Sequence, residues 1–185
     1  MDEPNPWRRL SRRVAYENAW ITVWHDEVVR PDATPGIYGV VHFPYPATGV
    51  VALDDEGRVL LVGQYRYTMD AYSWEIPEGG GAAGETPLEG AQRELREETG
   101  YRAREWRELG RCWTSDSVTD ERAWLYVARD LVPGEAAPEV TEPITVRWVP
   151  FDEAVAMCRD GRIVDAMSIC ALQWLALERL AFEAP

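Results

Sequence analysis

GGGAAGETPLEGAQRELREETGY, residues 79–101, is the stretch on which the reading of this chain turns. It opens with three glycines and closes on a run crowded with carboxylates. Glu94, Glu97 and Glu98 stand at i, i+3 and i+4, offsets that share one face of an α-helix. Three like charges on one face repel, so as structure alone they lower stability. A solvated acidic face is one outcome of such a pattern. A divalent-metal site is the other, because a hard cation such as Mg²⁺ takes oxygen ligands from a few carboxylates, waters and substrate phosphates. The flanks define the helix: Thr86 as N-cap, Pro87 at the first helical position, Glu89 at the capping-box offset and Gly100 as C-cap. Leu88, Ala91 and Leu95 are its apolar positions and are expected to face a core. Gly79, Gly80 and Gly81 permit backbone geometry closed to other residues, which suits a loop that turns a carbonyl toward a metal.

The rest of the chain bounds what such a site can serve. At 185 residues, one domain with a small appendage is expected. A net charge of −13 argues against binding long nucleic acid, whose phosphates need Lys and Arg. It leaves small phosphorylated ligands open, since bound metal can meet their charge. Cys112, Cys158 and Cys170 are odd in number, lack metal-ligand spacing and read as reduced. The opening MDEPNPWRRLSRR has no apolar centre for a secretory signal, and no run is long enough to span a membrane. A cytoplasmic protein without membrane attachment is expected.

Residues 8–17, 20–29 and 37–43 read as an N-terminal antiparallel sheet, with a turn over Pro31–Gly36 in which Gly36 can take positive φ. A sheet this small is not stable alone. Trp20 and Trp24 on it call for a covering surface, either the main domain or a second subunit. Pro44-Tyr45-Pro46 marks a boundary, giving an extension over 1–45 and a main domain over 46–185. Residues 49–53 and 58–67 are expected to pair as a hairpin around Asp54–Gly57. Arg66, beyond the apolar run, is either a phosphate clamp or one half of a surface ion pair. Further strands are expected at 106–113, 123–128 and 144–149, and helices at 151–159 and 166–182. The last helix is apolar nearly all round, which predicts burial.

The spacing of the opening stretch resembles the signature of the Nudix hydrolase superfamily. Gly79 is followed after five residues by Glu85, and after seven more by Arg93-Glu94-Leu95, Arg96, Glu97-Glu98, Thr99, Gly100 and Tyr101. Every fixed position of that signature is met. Within the superfamily the chain is most similar to the ADP-ribose and ADP-sugar pyrophosphatases. The N-terminal extension, Trp74-Glu75-Ile76-Pro77, the Glu-rich loop near residue 140 and the tail from Asp165 carry that likeness.

The resemblance implies an α/β/α sandwich around a mixed sheet, and a homodimer built by exchange of the N-terminal strands. It implies Mg²⁺-dependent hydrolysis, with Mn²⁺ as a substitute, of a nucleoside diphosphate linked to another group. Glu94 and Glu98 become the main metal ligands, with Glu97 alongside and the Glu78 carbonyl completing the set; Glu142 is a further ligand from the loop. Close members usually have alanine at the Glu78 position, which a carbonyl ligand tolerates. Glu139 is the expected general base, with Glu97 as competitor. Glu85 and Arg93 are expected to form a structural ion pair. Glu121 matches a substrate contact from the second subunit, and Trp20 is a candidate for stacking on the base. A proline marker of ADP-ribose specificity is replaced by Ser115-Asp116, which leaves GDP-mannose and other nucleotide sugars open. A non-catalytic nucleotide-sensing module is the alternative of another class; such modules typically lose box carboxylates that are all present here.

Overall fold

The structure is a computed structural model describing residues 3–134 and 144–183. Its elements fall into two compact units: Met1–Tyr45 with Trp113–Glu121, and Pro46–Cys112 with Arg122–Pro185.

The first unit is an antiparallel meander of β1 (Arg8–Glu17), β2 (Thr22–Val29) and β3 (Pro35–His42). The segment 113–121 is stitched to the end of β3 by Val41 N–H donating to Val118 at 2.9 Å and by His42 Nδ1 against Asp120 at 2.6 Å. Two expectations are corrected here. Ala33, not Gly36, takes the left-handed conformation in the β2–β3 turn, with φ 66°. Asp32 fixes that turn by accepting from the Thr34 N–H and hydroxyl, while Gly36 lies within β3, where a Cβ would run into the Arg30 side chain. Trp24 needs no outside cover. Its ring lies between the Arg12 guanidinium at 3.7 Å and the His42 ring at 4.1 Å, and Arg12 is in turn forked onto buried Asp26. Trp20 remains 75% exposed.

The second unit holds β4 (Ala47–Ala52), β5 (Arg58–Arg66), β6 (Ala71–Glu75), β7 (Glu78–Gly80), α1 (Pro87–Thr99), β8 (Arg102–Trp113), β9 (Arg122–Val132), β10 (Thr145–Pro150), α2 (Phe151–Asp160) and α3 (Ala166–Glu183). Two sheets form, in the orders β7-β4-β9-β8 and β10-β5-β6. The expected β4–β5 hairpin does not form. The two strands share a single bridge, Leu53 to Val59, and then part into different sheets. The Asp54 carboxylate accepts from the backbone of Glu56 and Arg58, and Gly57 adopts φ 76°, so the turn is tight. Each strand then takes other neighbours: β4 pairs with parallel β9 and with β7, and β5 with β10 and β6.

Because β4 is covered on both faces, its residues read as one apolar run rather than an alternation. The faces still separate with period two. Val51 and Leu53 join Leu125 and Val127 in a core with α2 and α3, while Val50 and Ala52 join Tyr126 and Ala128 against Ala91 and Leu95 of α1. Helices thus cover opposite faces of the sheet layer. Burial of α3 runs from Met167 to Leu175; Leu177 and Leu180 are exposed, so only the first half of this helix is enclosed. Among the described residues no helix is long and apolar enough to cross a membrane.

The start of α1 is set by local chemistry. The Thr86 hydroxyl accepts from Glu89 N–H at 3.3 Å, and the Glu89 carboxylate accepts from Thr86 N–H at 2.8 Å. Replacing the cap, Thr86→Ala, is expected to destabilise the protein by about 1 kcal/mol. A shift of about 2–4 °C in the melting midpoint would show it. An unchanged midpoint would mean that tertiary packing alone fixes this helix start.

Candidate metal centre

The carboxylate face of α1 points at β7, and the two elements constrain each other. The Glu98 carboxylate accepts from Glu78 N–H at 3.1 Å, which ties the end of the helix to the start of the strand. Glu94 lies so close to Gly79 that a Cβ at that position would overlap its carboxylate. Gly79 sits in ordinary β7 pairing opposite Thr48 and is not among the residues with positive φ. The need for glycine is therefore room for the Glu94 side chain rather than backbone freedom, which corrects the expectation of a glycine turn. Gly79→Ala is expected to leave the fold intact, because the obstructing atoms end a flexible side chain. It should displace Glu94 and lower activity at least tenfold at limiting metal. Full activity would show that the position of Glu94 is unimportant.

Arg93 organises the other side. Its guanidinium donates to Glu85 at 2.9 and 3.1 Å and to the Gly80 carbonyl at 2.8 Å, while Glu85 also accepts from Ala82 N–H at 3.0 Å. Helix, loop and strand are thereby clamped together. The Arg93 Nη1 also reaches Glu94 at 2.6 Å and Glu97 at 3.2 Å. Glu97 is the most exposed of the three box carboxylates and pairs with Arg96 as well.

Burial governs the electrostatics. Desolvation, followed by repulsion from Glu94, pushes Glu98 up to about 8. Glu94 is also raised, again chiefly by burial, with Arg93 opposing the shift. The Glu78 side chain is only 8% exposed; burial first, then Asp165 and Glu75, raise it well above the ordinary carboxylate range. Glu78 Oε2 is buried with no hydrogen-bond partner.

Arg66 is neither surface-paired nor free. It forks onto Glu75, a strand carboxylate at 1% exposure, and its Nη2 stands 3.5 Å from Glu78. Burial opposes its charge, but the bonds to Glu75 and the nearby Glu78 and Glu98 hold it above its usual value. Glu75 and Asp165 are members of this cluster that sequence reasoning gave no role in the site. A lone acid in the apolar run Trp74-Glu75-Ile76 was the available signal, since a carboxylate buried in a strand demands a basic partner.

Trp20 and Glu121 belong to the first unit, where Glu121 accepts from the Thr114 hydroxyl at 2.8 Å. Glu139 and Glu142 lie outside the described residues. Cavities of ligand size occur among the described residues. One of about 470 Å³ in the first unit is lined by Trp7, Arg9, Tyr38 and Trp113, and one of about 450 Å³ in the second by Arg93, Arg96, Arg102 and Trp106.

Among the described residues, no three His, Cys, Asp or Glu side chains already converge as a metal cage. Arg93 holds Glu94 and Glu97. The donor chemistry nevertheless fits a hard dication. The donors are oxygens, two of them are buried against like charge, Gly79 leaves room for a carboxylate, and a buried oxygen of Glu78 lacks a partner.

The chain is similar to known proteins over most of its length. The NUDIX domain model matches residues 44–181, and the nucleoside diphosphate sugar hydrolase N-terminal domain model matches residues 7–41. An ADP-ribose pyrophosphatase of Mycobacterium tuberculosis is 37% identical over 88% of this chain and 80% of its own. A CMP-5'-(N-acetyl-N-hydroxy-3-aminopropyl)phosphonate hydrolase of Streptomyces rubellomurinus is 34% identical over 85% of this chain and 76% of its own. The crystal structure of an ADP compounds hydrolase superposes with a TM-score of 0.86 at 20% identity, covering 100% of this chain and 99% of that one. With the domain model spanning most of the sequence, and the acidic helix and its glycine strand inside the matched span, the chain belongs to the Nudix hydrolase family.

Proposed function

We propose that this protein is a Mg²⁺-dependent pyrophosphohydrolase acting on a nucleoside diphosphate linked to a second group, with an ADP-sugar such as ADP-ribose as first choice and AMP and a sugar phosphate as products. The observation that carries this reading is the pair of buried, mutually repelling carboxylates Glu94 and Glu98 closed against β7. Nudix hydrolases generally use a divalent metal, and an ADP-ribose pyrophosphatase is among the relatives of this chain. Glu94, Glu98 and the Glu78 carbonyl would hold Mg²⁺, with Glu97 alongside and Glu142 from the loop; Mn²⁺ would substitute. Bound there, the metal would neutralise the diphosphate and lower the pKa of a water.

The protein groups do the rest. Glu139 takes the proton from the attacking water, with Glu97 as the competing base. Glu85 and Arg93 hold the helix in register with β7. Arg66 uses Nε and Nη2 on Glu75 and keeps Nη1 for a phosphate oxygen. In a homodimer, Glu121 and Trp20 would approach the substrate from the second subunit. The exposed Leu10, Val14, Tyr16, Trp20 and Ile37 of the extension over residues 1–45 support an interface there. Three free cysteines support a reducing compartment, the cytoplasm.

A second reading, hydrolysis of GDP-mannose or another nucleotide conjugate, is favoured by Ser115-Asp116 in place of the proline marker. Incubation with Mg²⁺ and a panel of ADP-ribose, ADP-glucose, GDP-mannose, diadenosine polyphosphates and nucleoside triphosphates tests both. Phosphatase-sensitive product is expected first from ADP-ribose. Preference for GDP-mannose would move the assignment to the second reading, and no turnover of any diphosphate-linked compound with Mg²⁺ or Mn²⁺ would sink both.

A further inference from the structure

The cavity of about 450 Å³ in the second unit takes no part in the hydrolysis proposed above. Part of its lining is a row on α1. Glu89, Gln92, Arg93 and Arg96 stand at i, i+3, i+4 and i+7, so they are neighbours on successive turns. This row is not the carboxylate face. At 3.6 residues per turn, Gln92 and Arg96 each lie about 160° around the helix from Glu94. Arg102 and Trp106 of β8 line the cavity as well. The Trp106 ring is held by its Nε1–H, which donates to the Ala103 carbonyl at 3.1 Å, and by an edge contact with Tyr126.

Three arginines meet two glutamates in this lining, an excess of positive charge on a chain whose net charge is −13. Both acids are engaged. Glu85 accepts from Arg93 at 2.9 and 3.1 Å and from Ala82 N–H at 3.0 Å. Glu89 accepts from the Thr86 N–H and hydroxyl, each at 2.8 Å. Arg93 is occupied by Glu85, the Gly80 carbonyl, Glu94 and Glu97. Arg96 differs: it uses Nη2 on Glu97 at 3.2 Å and keeps Nε and Nη1. Arg102 makes no side-chain hydrogen bond or ion pair among the described residues.

A guanidinium is a planar fork of donors with no acceptor, so two of them beside one cavity call for an oxyanion. A carboxylate offers one pair of oxygens and one charge. A phosphomonoester offers three oxygens and close to two charges at neutral pH, enough for both forks. We propose that this cavity binds a phosphomonoester through the Arg96 and Arg102 guanidinium groups, at a place separate from the Glu94–Glu98 face. AMP and a sugar phosphate, the products proposed above, each carry such a group, and inorganic phosphate presents the same oxygens. The inference goes beyond the hydrolase reading and does not need it. Binding is measured without metal, where no turnover is expected, so failure of either leaves the other standing.

The test is calorimetric titration of metal-stripped protein in a chelating, phosphate-free buffer, with AMP, ribose 5-phosphate and inorganic phosphate in separate runs. Without metal the carboxylate face repels anions and does not compete. Saturable binding of one equivalent per chain is expected. Arg102→Gln and Arg96→Gln should each weaken it about tenfold or more, since each removes hydrogen bonds to a charged group. Arg102→Lys should recover part of the loss, because it keeps the charge without the fork. Arg102 bonds to nothing within the chain, so its replacement does not endanger the fold. Should Arg96→Gln disturb α1, the Arg102 variants carry the test alone.

Equal affinity for the three ligands upholds the proposal with the phosphate group alone recognised. Tighter binding of AMP upholds it with the nucleoside recognised too. No saturable binding of any of them overturns it, as does binding that the substitutions leave unchanged. Adenosine bound as tightly as AMP would also overturn it, because the phosphate would then not be what the cavity reads.

Discussion

Glu98→Gln is expected to slow Mg²⁺-dependent hydrolysis about 10³-fold while leaving the fold intact. The substitution keeps the shape of the side chain and an oxygen to accept from Glu78 N–H. It removes one of the two buried negative charges proposed to hold the metal. Several kcal/mol of charge stabilisation at the breaking bond depend on that metal, and each 1.36 kcal/mol lost is tenfold in rate. The same change should raise the melting midpoint of the metal-free protein near pH 8, because Glu98 ionises there at the expense of burial and repulsion from Glu94. Loss of rate with gain of stability is the signature of a functional charge held against the interests of the fold. Near-normal turnover in the variant would remove Glu98 from the metal site. Lost turnover with a collapsed midpoint would make it a structural residue.

How much of this was legible depends on how local the cause is. The ends of α1 are set by contacts within three or four residues, and Thr86, Pro87, Glu89 and Gly100 announce them in order. Gly79 is recognisable as indispensable, but for the wrong reason: its constraint comes from Glu94, fifteen positions on, and only folding brings the two together. The Asp54–Gly57 turn is plain in the sequence, yet a tight turn does not reveal that the strands on either side join different sheets. Trp24 looks in need of a partner surface because the Arg12 and His42 that cover it are distant in the chain. Glu75 and Asp165 escape for the same reason. Each is an ordinary acid until β5 brings Arg66 to the one and the α3 cap brings Glu78 to the other.

Metal-free protein is expected to lose stability as pH rises from about 5 to 8, the reverse of the usual acid-side behaviour. The leading group is Glu98, raised from 4.5 to about 8 by burial first and by Glu94 second; Glu94 and Glu78, also raised chiefly by burial, act in the same direction. Below 4.5 the carboxyl is protonated whether the chain is folded or not, so nothing is lost. Between 4.5 and 8 the unfolded chain has released the proton and the folded one still holds it. The folded state then binds more protons, so the slope of unfolding free energy with pH is negative, at about 1.4 kcal/mol per pH unit. Above 8 both states are ionised, and the penalty stays at its full value. Carboxylates held low, such as Asp26 by its bond to Arg12 and Glu85 by its bond to Arg93, change charge below this window and do not mask it.

Melting midpoints in a chelating buffer should therefore fall by about 3–6 °C per pH unit. Saturating Mg²⁺ reverses the sign, because the cation binds the ionised form and competes with protons. The gain from metal should accordingly grow with pH and be small at pH 5. Glu98→Gln, having no proton to lose at that position, should make both curves shallower, with Glu78 and Glu94 supplying what slope remains. A metal-free midpoint that climbs from pH 5 to 8 in the wild type would show that the acidic helix is solvated rather than enclosed. The case for a cation at its centre would then lose its physical ground.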